Sequence, residues 1–131
     1  MNKKILIVAS DYYKDITQNL INGSLRELKI NKKNITVKKV PGTFEIPVII
    51  SKNIKKFDGF IALGCVIKGK TPHFDFICNS TFISLQSLST ISKKPVGNGI
   101  ITSLNMKQAK QRSLIKGKEA ANAVLEIFKN D

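Results

Sequence analysis

A chain of 131 residues, 42% of them hydrophobic, is long enough for one buried core and short for two, so residues 1–131 are read as one domain. Its formal charge of +13 comes from 22 basic against 9 acidic residues. Only Arg26 and Arg112 are arginines, the lysines are spread along the chain, and aromatics do not interleave with them as in single-strand binders; this argues against a nucleic-acid partner. Cys65 and Cys78 have no second pair, so neither a zinc site nor a disulfide framework is indicated. No stretch approaches the roughly 18 apolar residues of a membrane span. The apolar run Ile5 to Ala9 is too short for the core of a signal peptide. A soluble, cytoplasmic protein is expected.

In chain order, apolar runs of strand length alternate with helical periodicity. Lys4 to Ala9 is a buried strand, ended by Ser10-Asp11. Asp15 or Thr17 is placed to cap a helix whose apolar residues Ile16, Leu20, Ile21, Leu25 and Leu28 share one face. Gly23 inside that helix costs up to about 1 kcal/mol relative to alanine, which points to close packing there. After a polar turn at Asn31 to Asn34, Ile35 to Val40 alternates as a short strand near a sheet edge. Pro41 to Pro47 is a turn, and Pro47 fits the first turn of a helix running through Ile54.

Phe60 to Ile67 reads as the central strand. The turn after it, Lys68-Gly69-Lys70-Thr71-Pro72, leads into a helix from about His73 to about Thr90. In an open α/β sheet ligands sit at such carboxyl-terminal turns, and the free N–H groups of a helix start favour anions. Gly69 would let the backbone come close, Thr71 offers a hydroxyl, and His73, the only histidine, is a proton carrier. The expectation is an anion cradle, for phosphate.

Val96 to Thr102 is the last strand, interrupted by Gly97 and Gly99. Asn105 caps a helix through Arg112, with Gln108 placed for a capping box. Ser113-Leu114-Ile115 reads as a short break before a final helix carrying Ala120, Ala121, Val124 and Phe128. Four strands, each followed by a helix, with one helix more at the end, make a parallel sheet covered on both faces. The predicted fold is a three-layer α/β/α sandwich with a four-stranded parallel sheet, of flavodoxin-like type.

The stretches Pro41-Gly42-Thr43-Phe44-Glu45-Ile46-Pro47 and Gly64-Cys65-Val66-Ile67-Lys68-Gly69-Lys70-Thr71-Pro72-His73-Phe74-Asp75 resemble the two signatures of the lumazine synthase family. The likeness continues in Asn98 to Thr102, Gln108 to Arg112 and Lys116 to Ala121. The resemblance implies an enzyme that condenses 5-amino-6-(D-ribitylamino)uracil with 3,4-dihydroxy-2-butanone 4-phosphate. The product would be 6,7-dimethyl-8-ribityllumazine, a riboflavin precursor, formed with loss of phosphate and water and without metal or cofactor. It also implies a homopentamer with sites between neighbouring subunits, and riboflavin synthase as a further partner.

Residue by residue, the resemblance implies that Tyr12 stacks on the pyrimidine, rather than merely covering the sheet end, with Tyr13 the weaker candidate. Thr43, Phe44 and Glu45 would hold the ribityl chain; without the resemblance, Glu45 is an ordinary first-turn glutamate. Val66 and Ile67 would bond the pyrimidine through their backbone. Lys70 and Thr71 would hold phosphate together with Arg112, whose guanidinium binds two oxygens at once. Asn98 falls where a neighbouring subunit covers the pyrimidine, and Lys116 would reach the ribityl chain. His73 would move protons, with Asp75 orienting it or capping the helix.

The chain departs from the family pattern in places. The first strand begins at about Lys4, with little of the usual N-terminal arm, and the segment between Arg112 and Lys116 is short where capsid-forming members carry a longer loop. Lys70 stands where an acidic residue is common, and Asn98 where an aromatic is common. Alternative readings are a non-catalytic flavin- or lumazine-binding protein of the same fold and, further off, a basic nucleic-acid-binding module.

Overall fold

The computed structural model describes residues 2–130. Four strands form one parallel sheet: β1 (Ile5–Ser10), β2 (Ile35–Val40), β3 (Gly59–Ile67) and β4 (Val96–Ser103), in the order β2-β1-β3-β4. All six residues of β1 are buried, as the continuous apolar run requires of a strand covered on both faces. A helix follows each strand: α1 (Lys14–Leu28), α2 (Ile46–Lys52), α3 (His73–Ser92) and α4 (Met106–Lys129). The strands and their order match the expected three-layer flavodoxin-like sandwich.

Strand alternation divides the core in two. Ile5, Ile7 and Ala9 of β1 pack with Ile61 and Leu63 of β3 against α1 and α4. Leu6, Val8, Phe60, Ala62 and Ile100 face α2 and α3 on the other side. The order places β2 on one side of β1 and β3 on the other. The chain therefore leaves β1 toward one face and β3 toward the opposite face, and their following loops part. That divergence is the switch point at which open α/β sheets bind ligands.

Two local expectations are corrected. Neither Asp15 nor Thr17 caps α1, which begins at Lys14 after Tyr13 with no side-chain cap. Thr17 instead donates its hydroxyl to the Ser10 carbonyl at 2.5 Å, tying the helix to the end of β1. The break expected at Ser113-Leu114-Ile115 is absent, and α4 is one helix of 24 residues. Ser113 is buried; its hydroxyl donates to the Lys110 carbonyl and accepts from the Asn19 amide at 3.1 Å. Local and tertiary bonds thus satisfy the group that makes serine a poor mid-helix residue. The cap at Asn105 is present, its side chain accepting from Gln108 N–H at 2.9 Å. Gln108 reaches back to Leu104 N–H rather than to the capping residue itself.

Gly23 does serve close packing. A Cβ there would lie 3.3 Å from the backbone nitrogen of Lys118, and a Cβ on Gly117 would run into the carbonyl of Leu20. Ser24 pins the crossing by donating to the Gly117 carbonyl at 2.8 Å. Gly117→Ala should therefore force α1 and α4 apart and destabilise the fold by about 1–3 kcal/mol, the usual cost of overpacking. Urea unfolding checks this; an unchanged midpoint would mean that the two helices yield freely.

Candidate active site

A cavity of about 550 Å³ opens at the switch point. Tyr12 and Tyr13, just past β1, form one wall, their rings edge to face at 4.8 Å. Thr43, Phe44 and Glu45 make up the short 3₁₀ turn that enters α2 and form a second wall. Val66 and Ile67 end β3, and His73 with Ile77, one helical turn later, closes the third side from α3. Eight of the residues singled out in the sequence, the weaker candidate Tyr13 among them, thus meet around one space.

The sheet leaves part of this space chemically open. Pairing of β1 with β3 stops at Ala9 and Leu63, whereas β3 runs beside β4 as far as Ile67 and Ser103. From Gly64 to Ile67 the β1 side of β3 therefore has no strand beside it, and Cys65, Val66 and Ile67 line the cavity there. Tyr12 and Phe44 are largely exposed at the rim, apolar rings that a flat ligand would cover. Beyond the rim, the N–H groups of Gly69, Lys70 and Thr71 have no hydrogen-bond partner among the described residues. A Cβ at Gly69 would meet nothing within 4 Å, so folding does not demand glycine there. Thr71 accepts from His73 N–H at 3.4 Å. No hydrogen bond or ion pair joins Asp75 to the imidazole of His73 among the described residues.

Arg112 and Lys116 lie elsewhere. With Thr102, Ile115 and Glu119 they line a second cavity of about 330 Å³ beside β4, and no residue lines both cavities. Arg112 and Lys116 are one turn apart on α4, so the segment between them is helix and not a tight loop. Arg112 donates one N–H to the Thr102 carbonyl at 2.8 Å, which anchors the guanidinium at the end of β4 and leaves its other donors available. Asn98 stands within β4, exposed, its side chain accepting from Ile100 N–H at 3.0 Å. Asn98, Lys70 and Thr71 line neither cavity.

Sequence reasoning passed over Cys65, Ile77 and Glu119. The last two were legible as helical repeats, Ile77 four residues after His73 and Glu119 seven after Arg112. Burial pushes the Cys65 thiol up to about 11, so it stays neutral near pH 7 and is no nucleophile. Burial also raises Tyr13, with further contributions from Cys65 and Tyr12. Asp11 is lowered by its hydrogen bond with Lys14 at 3.0 Å.

The family profile described as 6,7-dimethyl-8-ribityllumazine synthase matches residues 2–130. The chain belongs to the 6,7-dimethyl-8-ribityllumazine synthase family. It is 40% identical to the 6,7-dimethyl-8-ribityllumazine synthase of Nitratidesulfovibrio vulgaris strain DP4, over 96% of this chain and 86% of that protein. The protein of the same name from the Hildenborough strain matches equally. The 6,7-dimethyl-8-ribityllumazine synthase of Corynebacterium kroppenstedtii is 37% identical over 84% of this chain and 69% of its own length. The resemblance to the lumazine synthase family read from the two signature stretches therefore holds for the chain as a whole.

Proposed function

We propose that the two cavities are complementary halves of one lumazine synthase site, completed where neighbouring copies of this chain meet. As a member of its family the chain is a transferase of riboflavin biosynthesis. It condenses 5-amino-6-(D-ribitylamino)uracil with 3,4-dihydroxy-2-butanone 4-phosphate, releasing phosphate and water. The observation that carries the shared site is the separation of Arg112 and Lys116 from His73: no residue lines both cavities.

In this reading Tyr12 stacks on the pyrimidine, whose edge bonds the open backbone of Val66 and Ile67. Thr43, Phe44 and Glu45 take the ribityl chain. The free N–H groups at Gly69 to Thr71, with Lys70, hold the phosphate, and Arg112 of the adjacent copy completes that site. Lys116 and Asn98 of the same adjacent copy cover the ribityl chain and the ring. His73 moves protons during imine formation, phosphate loss and ring closure. Most of the acceleration then comes from holding two reactants together.

An exposed apolar groove between α2 and α3 supports association between copies. Pro47, Val48, Ile54, Ile83 and Ile91 line it, and Ile83 and Ile91 are 67% and 81% exposed. Head-to-tail contacts that close make rings. The net charge of +13 per chain becomes roughly +65 in a pentamer and +780 in a sixty-subunit shell before ions bind, which favours the isolated pentamer. Residues 1–131 act as one cytoplasmic domain in this reading, with riboflavin synthase as the consumer of the product. No helix among the described residues is long and apolar enough to cross a membrane.

Mixing the purified protein with both substrates should give fluorescent lumazine with no metal or cofactor added. Product no faster than the spontaneous background would leave a flavin- or lumazine-binding protein. Light scattering near physiological salt should give the mass of five chains; a mass near sixty would replace the isolated pentamer with a shell, and a fully active monomer would refute the shared site.

A further inference from the structure

Strand alternation carries Leu6, Val8 and then Ser10 of β1 to the α2 face of the sheet. Ser10 ends the strand and is 1% exposed; Thr43, which opens the turn above it, is 7% exposed. Neither hydroxyl has a hydrogen-bond partner among the described residues, and Thr17 engages only the Ser10 carbonyl. Both oxygens keep some access from outside, the one fully buried unpaired side-chain oxygen among the described residues being Thr81 Oγ1, so each is open to a partner that is not part of the fold.

The two hydroxyls converge. Ser10 Oγ lies 2.7 Å, and Thr43 Oγ1 3.0 Å, from the point that a Cβ on Gly64 would occupy. Glycine at position 64 is what allows both oxygens to settle against β3, and an alanine methyl would press on each. Oxygens gathered this closely can share one further hydroxyl or water between them. Thr43 lines the larger cavity and Ser10 does not, so a partner would reach Ser10 past Thr43.

We infer that Ser10 is an additional ligand-positioning residue which, with Thr43, takes a hydroxyl of the substrate's polyol chain, directly or through one ordered water. The inference rests on the reading of this cavity as the pyrimidine-ribityl half of the site. Neutral hydroxyls that both donate and accept suit another hydroxyl. They do not suit a phosphate, which the Glu45 carboxylate on the same wall would repel.

The test compares wild type with Ser10→Ala and with Thr43→Val, which removes the second hydroxyl and keeps its shape. Calorimetry with 5-amino-6-(D-ribitylamino)uracil should show Kd raised about three- to tenfold in each variant, the range of one neutral hydrogen bond. The two losses should be less than additive if both hydroxyls serve one partner. The KM for the butanone phosphate should move less than that for the pyrimidine, and an aminouracil inhibitor with no polyol should bind all three proteins alike. Equal Kd values for the ribityl compound in wild type and Ser10→Ala would overturn the inference. So would an equal loss for the polyol-free inhibitor. Absence of turnover by wild type would instead overturn the enzymatic reading, which calorimetry keeps separate.

Discussion

Arg112→Ala should raise the KM for the butanone phosphate by roughly ten- to a hundredfold, with a much smaller effect on the pyrimidine. The guanidinium is held by a single bond to the Thr102 carbonyl at 2.8 Å, so it is oriented before any ligand arrives. Its remaining N–H groups can meet a phosphate oxygen pair side by side. A charge-assisted bond of that kind contributes about 1.5–3 kcal/mol, which sets the range. Arg112→Lys keeps the charge and loses the fork, and should recover only part of the affinity. Initial rates with each substrate varied in turn provide the check. Equal loss for both substrates would show that Arg112 is not a phosphate ligand.

The strands and the two signature turns were legible because each carries a strong local signal. An unbroken apolar run such as Phe60 to Leu63 fits a strand buried on both faces, and glycine and proline mark the turns at Pro41–Pro47 and Lys68–Pro72. The continuity of α4 was not legible. Ser113 weakens a helix locally, and what compensates it, the Asn19 amide 94 residues away, is a tertiary contact. The missing side-chain cap on α1 has a similar cause, since Thr17 spends its hydroxyl on Ser10 at the strand end.

For the candidate site, the grouping around one cavity was legible in the sequence and the division between two cavities was not. Tyr12, Thr43 and Val66 stand at three strand ends, and any parallel sheet would gather such positions near its switch point. That Arg112 and Lys116 line a separate cavity depends on β4 lying beyond β3 in the sheet order, which no single stretch encodes. Ser10 was read only as the end of a strand. Its hydroxyl gains meaning from Gly64 and Thr43, residues that the fold brings to it from two other elements.

His73→Ala should lower kcat by up to about a hundredfold, the lower end of what general acid–base catalysis contributes. The condensation also runs slowly unaided, and holding the reactants together survives the substitution. Since Arg112 and His73 sit on different cavities of one chain, the two variants offer a sharper experiment together. In a ring assembled from equal amounts of His73→Ala and Arg112→Ala subunits, some neighbours pair an intact Arg112 with an intact His73. Random assembly makes roughly one interface in four complete, so with the butanone phosphate well below the wild-type KM the mixture should exceed the mean of the separate variants and approach a quarter of wild-type activity. Unfolding and refolding the variants together provides the mixed rings, and refolding them apart before mixing provides the control. If the co-refolded rings are no faster than the control, both residues act within one subunit and the halves of the site do not meet across a boundary.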